Sequence, residues 1–384
     1  MLAPFPMGKQ VLGCDLSVVT MGRPESSMLG ARRATPVVRG PRSGVRHLAQ
    51  HTRRWSRKRR CATLSAPGTQ YQEAAGQTSG GRGNTQRNAR RNSLQFLQVL
   101  IGGISQGCIY GLIALGFVLI YKATETVNFA QGELMMLGAF LGLTGTVIIG
   151  LPYWVAVPAA LAAMALCGLL IERATLRPIL GQPAFSVVMV TIGLGYVMRG
   201  VVTMIPAWST ETHTLPTPYS GELVRMGVLV VGSEQIAIVT TTAVLCAALF
   251  LFFRFTRVGI AMQASSQNQL AAYYMGIPVR RLNGLIWAIS AAVAACAGIL
   301  LAPITFVHSN MGFIGLKAFP AAVVGGFGSL PGAIVGGLVI GLVESFAGVY
   351  LPEGFKDVAA YVVVLAMLAV RPNGLFGETM RKKV

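Results

Sequence analysis

Hydrophobic and polar positions divide this chain once, near Ser93, into a polar, cation-rich first part and a second part built from long apolar runs. Runs long enough to cross a hydrocarbon core, which takes roughly 20 residues, fall at about 94–121, 131–150, 153–171, 185–205, 235–253, 283–303, 331–350 and 357–371. A shorter apolar stretch lies at about 317–330, where Pro320, Gly325, Gly326, Gly328, Pro331 and Gly332 interrupt helical continuity. The pattern predicts an all-α polytopic membrane protein of about eight transmembrane helices plus one short broken helix.

The longest polar interruption between apolar runs is Arg254 to Asn283. Arg254 and Arg257 leave one run, Arg280 and Arg281 enter the next, and no acid lies between. By the positive-inside rule this loop is cytoplasmic. Its middle, Met262 to Met275, has the small and polar residues of a short surface helix, which reads as a docking element for a cytoplasmic partner. Counting spans backwards places 206–234 outside, where Glu211, Glu222 and Glu234 face the single cation Arg225, and 172–184 inside with Arg173 and Arg177. It also places the start of the first span outside. Counting forwards, the C-terminal RKKV reaches the inside only if Leu316 to Ser345 crosses twice, as the broken helix and the span after it. Irregular backbone at membrane depth is tolerated where it is buried or lines a cavity. Gly325, Gly326, Gly328 and Pro331 are therefore expected on the wall of a translocation path, against the alternative that they are ordinary small-residue packing surfaces.

Composition sharpens this. Apolar residues make up 53% and charged residues 12% of the chain, half the roughly 25% charge of soluble domains. The net charge of +19 sits mostly in the first part: 17 of the 32 Lys+Arg and 3 of the 13 Asp+Glu fall in residues 1–92. Such a segment buries too little to fold, so residues 1–92 are expected to be disordered. A nucleic-acid arm, a targeting peptide, a lipid-binding segment and a start assigned too early all compete as its explanation. For the chain as a whole no nucleic-acid partner is expected. The six cysteines and four histidines are dispersed, so neither a disulfide framework nor a metal site is indicated.

There is no G-x-x-x-x-G-K-[ST], no G-x-S-x-G and no H-E-x-x-H, so the chain neither hydrolyses ATP by itself nor carries a familiar catalytic set. No cofactor is expected. Charges within the spans are few and each needs a role. Glu133 opens the second span, where the helix dipole stabilises a carboxylate, with gating as the rival role; Asn128 precedes it. Arg199 and Glu344 are candidates for an intramembrane pair.

The runs GGISQGCIYGLIALGFVLIYKATETVNFAQGELMMLGAF, IERATLRPI, GLKAFPAAVVGGFGSLPGAIVGGLVIGLVES and AVRPNGLFG, with the loop GIAMQASSQNQLAAYYMGIPVRRLN, resemble LivH-type permeases of branched-chain amino-acid ABC importers. The likeness covers about Ser93 to Gly377. It implies a transporter subunit in the cell (inner) membrane, without enzymatic activity of its own. The implied partners are two cytoplasmic ABC ATPases, a second related permease, a periplasmic substrate-binding protein and the surrounding membrane lipid. It implies that the loop is the ATPase-coupling element, with Ala271, Ala272, Gly276, Ile277, Arg280 and Arg281 as its residues; Leu270 stands where an acid is usual. The domain plan is then an extension (1–92), a permease domain (93–377) with coupling loop 254–283, and a tail (378–384). Asn128 and Glu133 join the glycines above as candidates for the path. Urea or a short-chain amide as substrate, and a stand-alone carrier or channel, remain the alternatives.

Overall fold

In the computed structural model, residues 81–179, 181–208, 211–226, 229–352 and 354–377 are described. The first 80 residues, on which most of the expected disordered extension falls, lie outside them, as does the 378–384 tail. The described residues form α1 (Gly81–Thr124), α2 (Gln131–Leu143), α3 (Tyr153–Ile171), α4 (Ala184–Met204), α5 (Ser233–Phe255), α6 (Arg257–Gln267), α7 (Gln269–Tyr274), α8 (Val279–Thr305), α9 (Gly312–Gly325), α10 (Leu330–Tyr350) and α11 (Phe355–Val370). A two-stranded antiparallel hairpin, β1 (Leu223–Met226) and β2 (Leu229–Gly232), precedes α5.

Among the described residues seven helical segments are long and apolar enough to cross a membrane, α2 only together with the π-helical turn Thr144–Ile148 that prolongs it. The expected eighth, α11, has 16 residues, short of the roughly 20 a full span requires. Helix α1 begins at Gly81, so residues 81–92, expected to belong to the disordered part, are helical. The broken helix lies earlier than expected, at Gly312–Gly325 rather than 317–330; Gly312 and Gly315 had diluted its apolar signal.

One pattern recurs. Helix α1 ends at Thr124 and the next residue, Glu125, takes φ 54°; α8 ends at Thr305 and Phe306 takes φ 62°. These left-handed conformations are uncommon without glycine. Each is followed by an irregular stretch (125–130 and 306–311) and then a short helix, α2 of 13 residues and α9 of 14. Contacts fix the relative direction of the two units. The Ser290 hydroxyl donates to the Gly116 carbonyl (3.0 Å), while Leu119 packs in one cluster with Leu282 and Ile286, so α1 and α8 run antiparallel. The chain thus holds two oppositely directed copies of a long helix, a break and a half-helix, the arrangement of many membrane transporters.

Helices approach closely because their facing residues lack side chains. Gly103, Gly107 and Gly111 of α1 lie against Leu342, Leu338 and Ile334 of α10, and Gly138 of α2 lies against Ala295 of α8. Since lipid is as apolar as leucine, such packing rather than water exclusion drives association in the membrane. Between them these helices enclose Tyr110, Phe117, Met135, Phe140 and Trp287, all essentially inaccessible. By contrast α3, α4 and α5 bury only 22%, 28% and 17% of their most apolar windows.

The ends of the bundle differ in charge. Arg173, Arg177, Arg254, Arg257, Arg280 and Arg281 gather at one end, where Arg177 donates to Glu172 (3.3 Å) and to the Arg280 carbonyl (3.4 Å). At the opposite end residues 205–208 and 211–226 lie over the helices. The Trp208 indole donates to Thr144 (2.7 Å), His213 and Val307 exchange backbone bonds (2.9 Å), and the Tyr153 and Tyr219 hydroxyls meet (3.0 Å). Burial pushes the Tyr219 hydroxyl above its ordinary pKa, which keeps it neutral.

A Cβ at Gly337 would collide with the Gly111 backbone, whereas one at Gly102 meets nothing within 4 Å. Gly337→Leu should therefore lower stability by about 1–3 kcal/mol or more through overpacking. Gly102→Ala should be neutral or gain up to about 1 kcal/mol from helix propensity. Thermal unfolding of both variants in lipid nanodiscs checks the contrast.

Candidate functional site

Helix α2 does not start at a membrane surface. Its first residue, Gln131, reaches the Ser290 carbonyl (3.5 Å), and Ser290 lies near the middle of α8. Farther along, Gly138 meets Ala295 and Gly142 meets Ile299, so α2 runs parallel to the second half of α8. The stretch 125–130 must therefore return from the basic end to mid-bilayer as non-helical backbone. Several of its polar groups are satisfied internally, as lipid requires. The Phe129 N–H donates to the Thr191 hydroxyl (3.2 Å) and the Ala130 N–H to the Asn128 side-chain oxygen (3.1 Å). Asn128, buried, donates to Gln131 (3.4 Å), which also accepts from the Ser290 hydroxyl (3.3 Å).

Helix α9 starts at the same depth from the other side. Gly132 of α2 touches Gly312 and Gly315 of α9 through bare backbone. The two half-helix N-termini thus meet, and Glu133, in the first turn of α2, lies beside Gly312 and Gly195. A carboxylate between two helix N-termini faces the positive ends of both dipoles, and here it also pairs directly with Arg199 of α4. The guanidinium stands over the Phe313 ring, 4.0 Å from its centroid. Glu133 Oε2 and Arg199 Nε are buried without a hydrogen-bond partner. The expected Arg199–Glu344 pair does not form. Glu344 accepts from the Tyr110 hydroxyl (2.5 Å) and lies 4.0 Å from Lys356, because α10 turns it towards α1 and α11.

The glycine break behaves differently from its expectation. Gly325 packs on the Gly332 backbone and Gly326 (φ 96°) on the turn at Asn373 and Gly377, so both are closed packing contacts. The break between α9 and α10 sits at the basic end, with Ser329 capping α10 through the Gly332 N–H (3.2 Å). Gly328 and Pro331 line a groove of about 670 Å³ there, together with Lys122, Leu249, Phe253 and Arg254. Irregular backbone at mid-depth occurs instead at 125–130 and 306–311. Sequence pattern missed both, because neither stretch contains the glycine and proline that marked the other break.

The polar loop folds as two helices, α6 and α7, where one was expected. Thr256 caps α6 (3.0 Å to the Gly259 N–H) and Asn268 caps α7 (2.9 Å to the Ala271 N–H). Gly276 ends α7 with φ 79°, a conformation glycine adopts without penalty. Ala272 is buried and Ile277 packs inward near Phe253 and Met262, whereas Ala271, Arg280 and Arg281 are exposed. The outward face belongs to residues the sequence reading did not select: Leu270, Tyr273, Tyr274 and Met275 are 67%, 70%, 77% and 82% exposed. Their signal was the YYM run itself. The Gln269 side chain donates to the Ala123 carbonyl (2.7 Å), tying α7 to the end of α1.

Residues 99–370 match the family described as the permease component of branched-chain amino acid transport systems. The chain belongs to this family. It is 32% identical over 313 residues to the LivH high-affinity branched-chain amino acid permease of Salmonella typhimurium, covering 76% of this chain and 98% of that protein. It is 31% identical to BraD of Pseudomonas aeruginosa, over 75% of this chain and 98% of the relative. A probable branched-chain permease LivH of Methanocaldococcus jannaschii is 30% identical over 74% and 93%. Family membership makes the chain a multi-pass transporter subunit rather than an enzyme.

Removing the carboxylate by Glu133→Ala strands Arg199, and breaking a buried pair from one side costs about 3–5 kcal/mol. The double variant Glu133→Ala with Arg199→Met should recover most of that loss. Thermal unfolding of the single and double variants, compared as a cycle, tests whether the two residues form one unit.

Proposed function

We propose that this chain is the membrane-spanning permease of an ABC importer for branched-chain amino acids, in the cytoplasmic membrane, with the permease domain at 93–377. The observation that carries the reading is the family match across 99–370, which takes in every apolar span and the α6–α7 loop. The relatives' substrates favour a branched-chain amino acid over urea or a short amide. Membership in a family of transport-system components weighs against a stand-alone carrier.

In this reading the basic end faces the cytoplasm, and α6 and α7 meet an ATPase. The exposed cluster Leu270, Tyr273, Tyr274 and Met275 suits such a contact, since exposed apolar clusters ringed by polar groups mark interaction sites and tyrosines are frequent energetic anchors. Ala271, Arg280 and Arg281 flank it, while Ala272, Gly276 and Ile277 shape the turn that presents it. A second ATPase would dock on a second, related permease, and a periplasmic binding protein would deliver substrate at the end covered by 205–208 and 211–226. Asn128 and Glu133 belong to the path through their mid-membrane position. Gly328 and Pro331 border its cytoplasmic mouth, and Gly325 and Gly326 hold the α9–α10 junction rather than the path itself.

The test is ATP-dependent uptake of labelled leucine by the complex copurified from its native membranes and reconstituted in vesicles, with isoleucine, valine and urea as competitors. Uptake competed by isoleucine and valine but not urea is expected; competition by urea alone would replace the substrate assignment. Tyr273→Ala with Tyr274→Ala should reduce ATPase copurification tenfold or more, given that a lost anchor costs about 2 kcal/mol. The permease's own unfolding temperature should stay unchanged, because both side chains are exposed. Gly276→Val should lower ATPase capture as well, by straining the φ 79° turn.

A further inference from the structure

Phe313, Leu316 and Lys317 lie three and four positions apart on α9 and so share one face, exposed at Phe313 and Leu316. Two further elements bring charge to it. Arg199 of α4 covers Phe313, and Asp357 of α11 accepts from the Lys317 ammonium (2.5 Å). The Lys317 and Asp357 side chains are 35% and 62% exposed. The depth of this face follows from the α9–α10 packing. Ala321 lies against Gly336 and Gly325 against Gly332, so the helices are antiparallel and Lys317 stands level with Ile340, the midpoint of Leu330–Tyr350. Glu133 lies beside Gly195, near the midpoint of Ala184–Met204. Two cations and two carboxylates are thus gathered around one helix face, Glu133, Arg199 and Lys317 at mid-bilayer and Asp357 in the first turn of α11, whose Lys356 packs on Gly348 towards the end of α10, and part of that face is open. Charged side chains within spans face protein interior or water-filled cavities, not lipid tails.

We infer that this face, Glu133, Arg199, Phe313, Leu316, Lys317 and Asp357, lines the water-filled translocation path and receives a zwitterionic amino acid. The inference rests on the importer reading above and adds to it the residues that meet the substrate. The chemistry matches on both ends: Lys317 and Arg199 offer donors to an α-carboxylate, and Glu133 and Asp357 accept from an α-ammonium. Glu133 Oε2 and Arg199 Nε have hydrogen-bonding capacity unused. Phe313 and Leu316 supply the apolar contact that a branched side chain needs. Because each charge already has a partner of opposite sign, the face is neutral overall, and a zwitterion can exchange with the existing pairs without leaving net charge behind. An uncharged amide or urea would leave both pairs intact and gain less.

The experiment uses the assembled importer in vesicles, with single cysteines at Leu316 (L316C) or, as lipid-facing controls, at Leu166 and Val244, which are 58% and 69% exposed. Labelling by a charged, membrane-impermeant thiol reagent is measured over the wild-type background. Leu316→Cys should react about tenfold or more faster than the controls, because the thiolate forms in water and not in apolar surroundings. Saturating leucine should slow it. Rates equal to the controls, or an unreactive Leu316→Cys that instead crosslinks to the second permease, would overturn the inference. As a second arm, Lys317→Leu should reduce leucine uptake about tenfold while Lys317→Arg retains it; a lysine merely reaching a lipid interface would be replaced by leucine without loss. Labelling does not depend on which solute is carried. A complex whose Leu316→Cys reacts but which transports no amino acid would refute the substrate assignment alone.

Discussion

A bilayer offers no water to an open backbone amide, and this architecture follows from that constraint. The chain starts two helices at mid-depth and must satisfy the freed groups with its own atoms. It does so by bringing backbones together. Gly132, Gly312 and Gly315 let the two half-helix ends touch, and Asn128, Gln131, Thr191 and Ser290 supply the hydrogen bonds that helix continuity would have given. The glycines along α1 and α10 extend the same solution over the length of the bundle. A Cβ at most of these positions has nowhere to go, so close approach and polar satisfaction are one property.

The meeting of two half-helix N-termini also explains a charge that would otherwise be costly. Glu133 is stabilised by two dipoles and by Arg199, which in turn rests on Phe313. None of these partners is near in sequence: Arg199 comes from another helix and Phe313 from the opposite repeat. Dipole stabilisation was a local argument and remains part of the account. The ion pair is a tertiary fact, and it joins the first repeat to the second at the centre of the membrane.

How much could be read from the residues alone follows this division. Spans were legible because about 20 apolar residues in succession have no other use, and the boundaries of α3, α4, α5 and α10 fall within a few residues of those expected. The α9–α10 break was legible because glycine and proline announce it. The breaks at 125–130 and 306–311 were not, since residues such as Thr126, Asn128 and His308 also suit an ordinary loop, and only packing reveals the depth at which they lie. The repeat was hidden for a related reason: its copies share a backbone path, including the left-handed residue after each threonine, more than they share side chains. In the polar loop, residue type suggested a partner surface, but Ala272 and Ile277 turn inward and the tyrosines turn out, which helical phase decides only once the break at Asn268 is known.

The bond between Gln269 and the Ala123 carbonyl places the outer docking face and the membrane's centre on one short mechanical line. From Ala123 the chain reaches Glu133 in ten residues, through bends and turns in which Phe129 and Ala130 are held by Thr191 and Asn128. The surface element and the charges at the centre therefore share one short covalent tether, and α7 cannot shift without displacing one end of it.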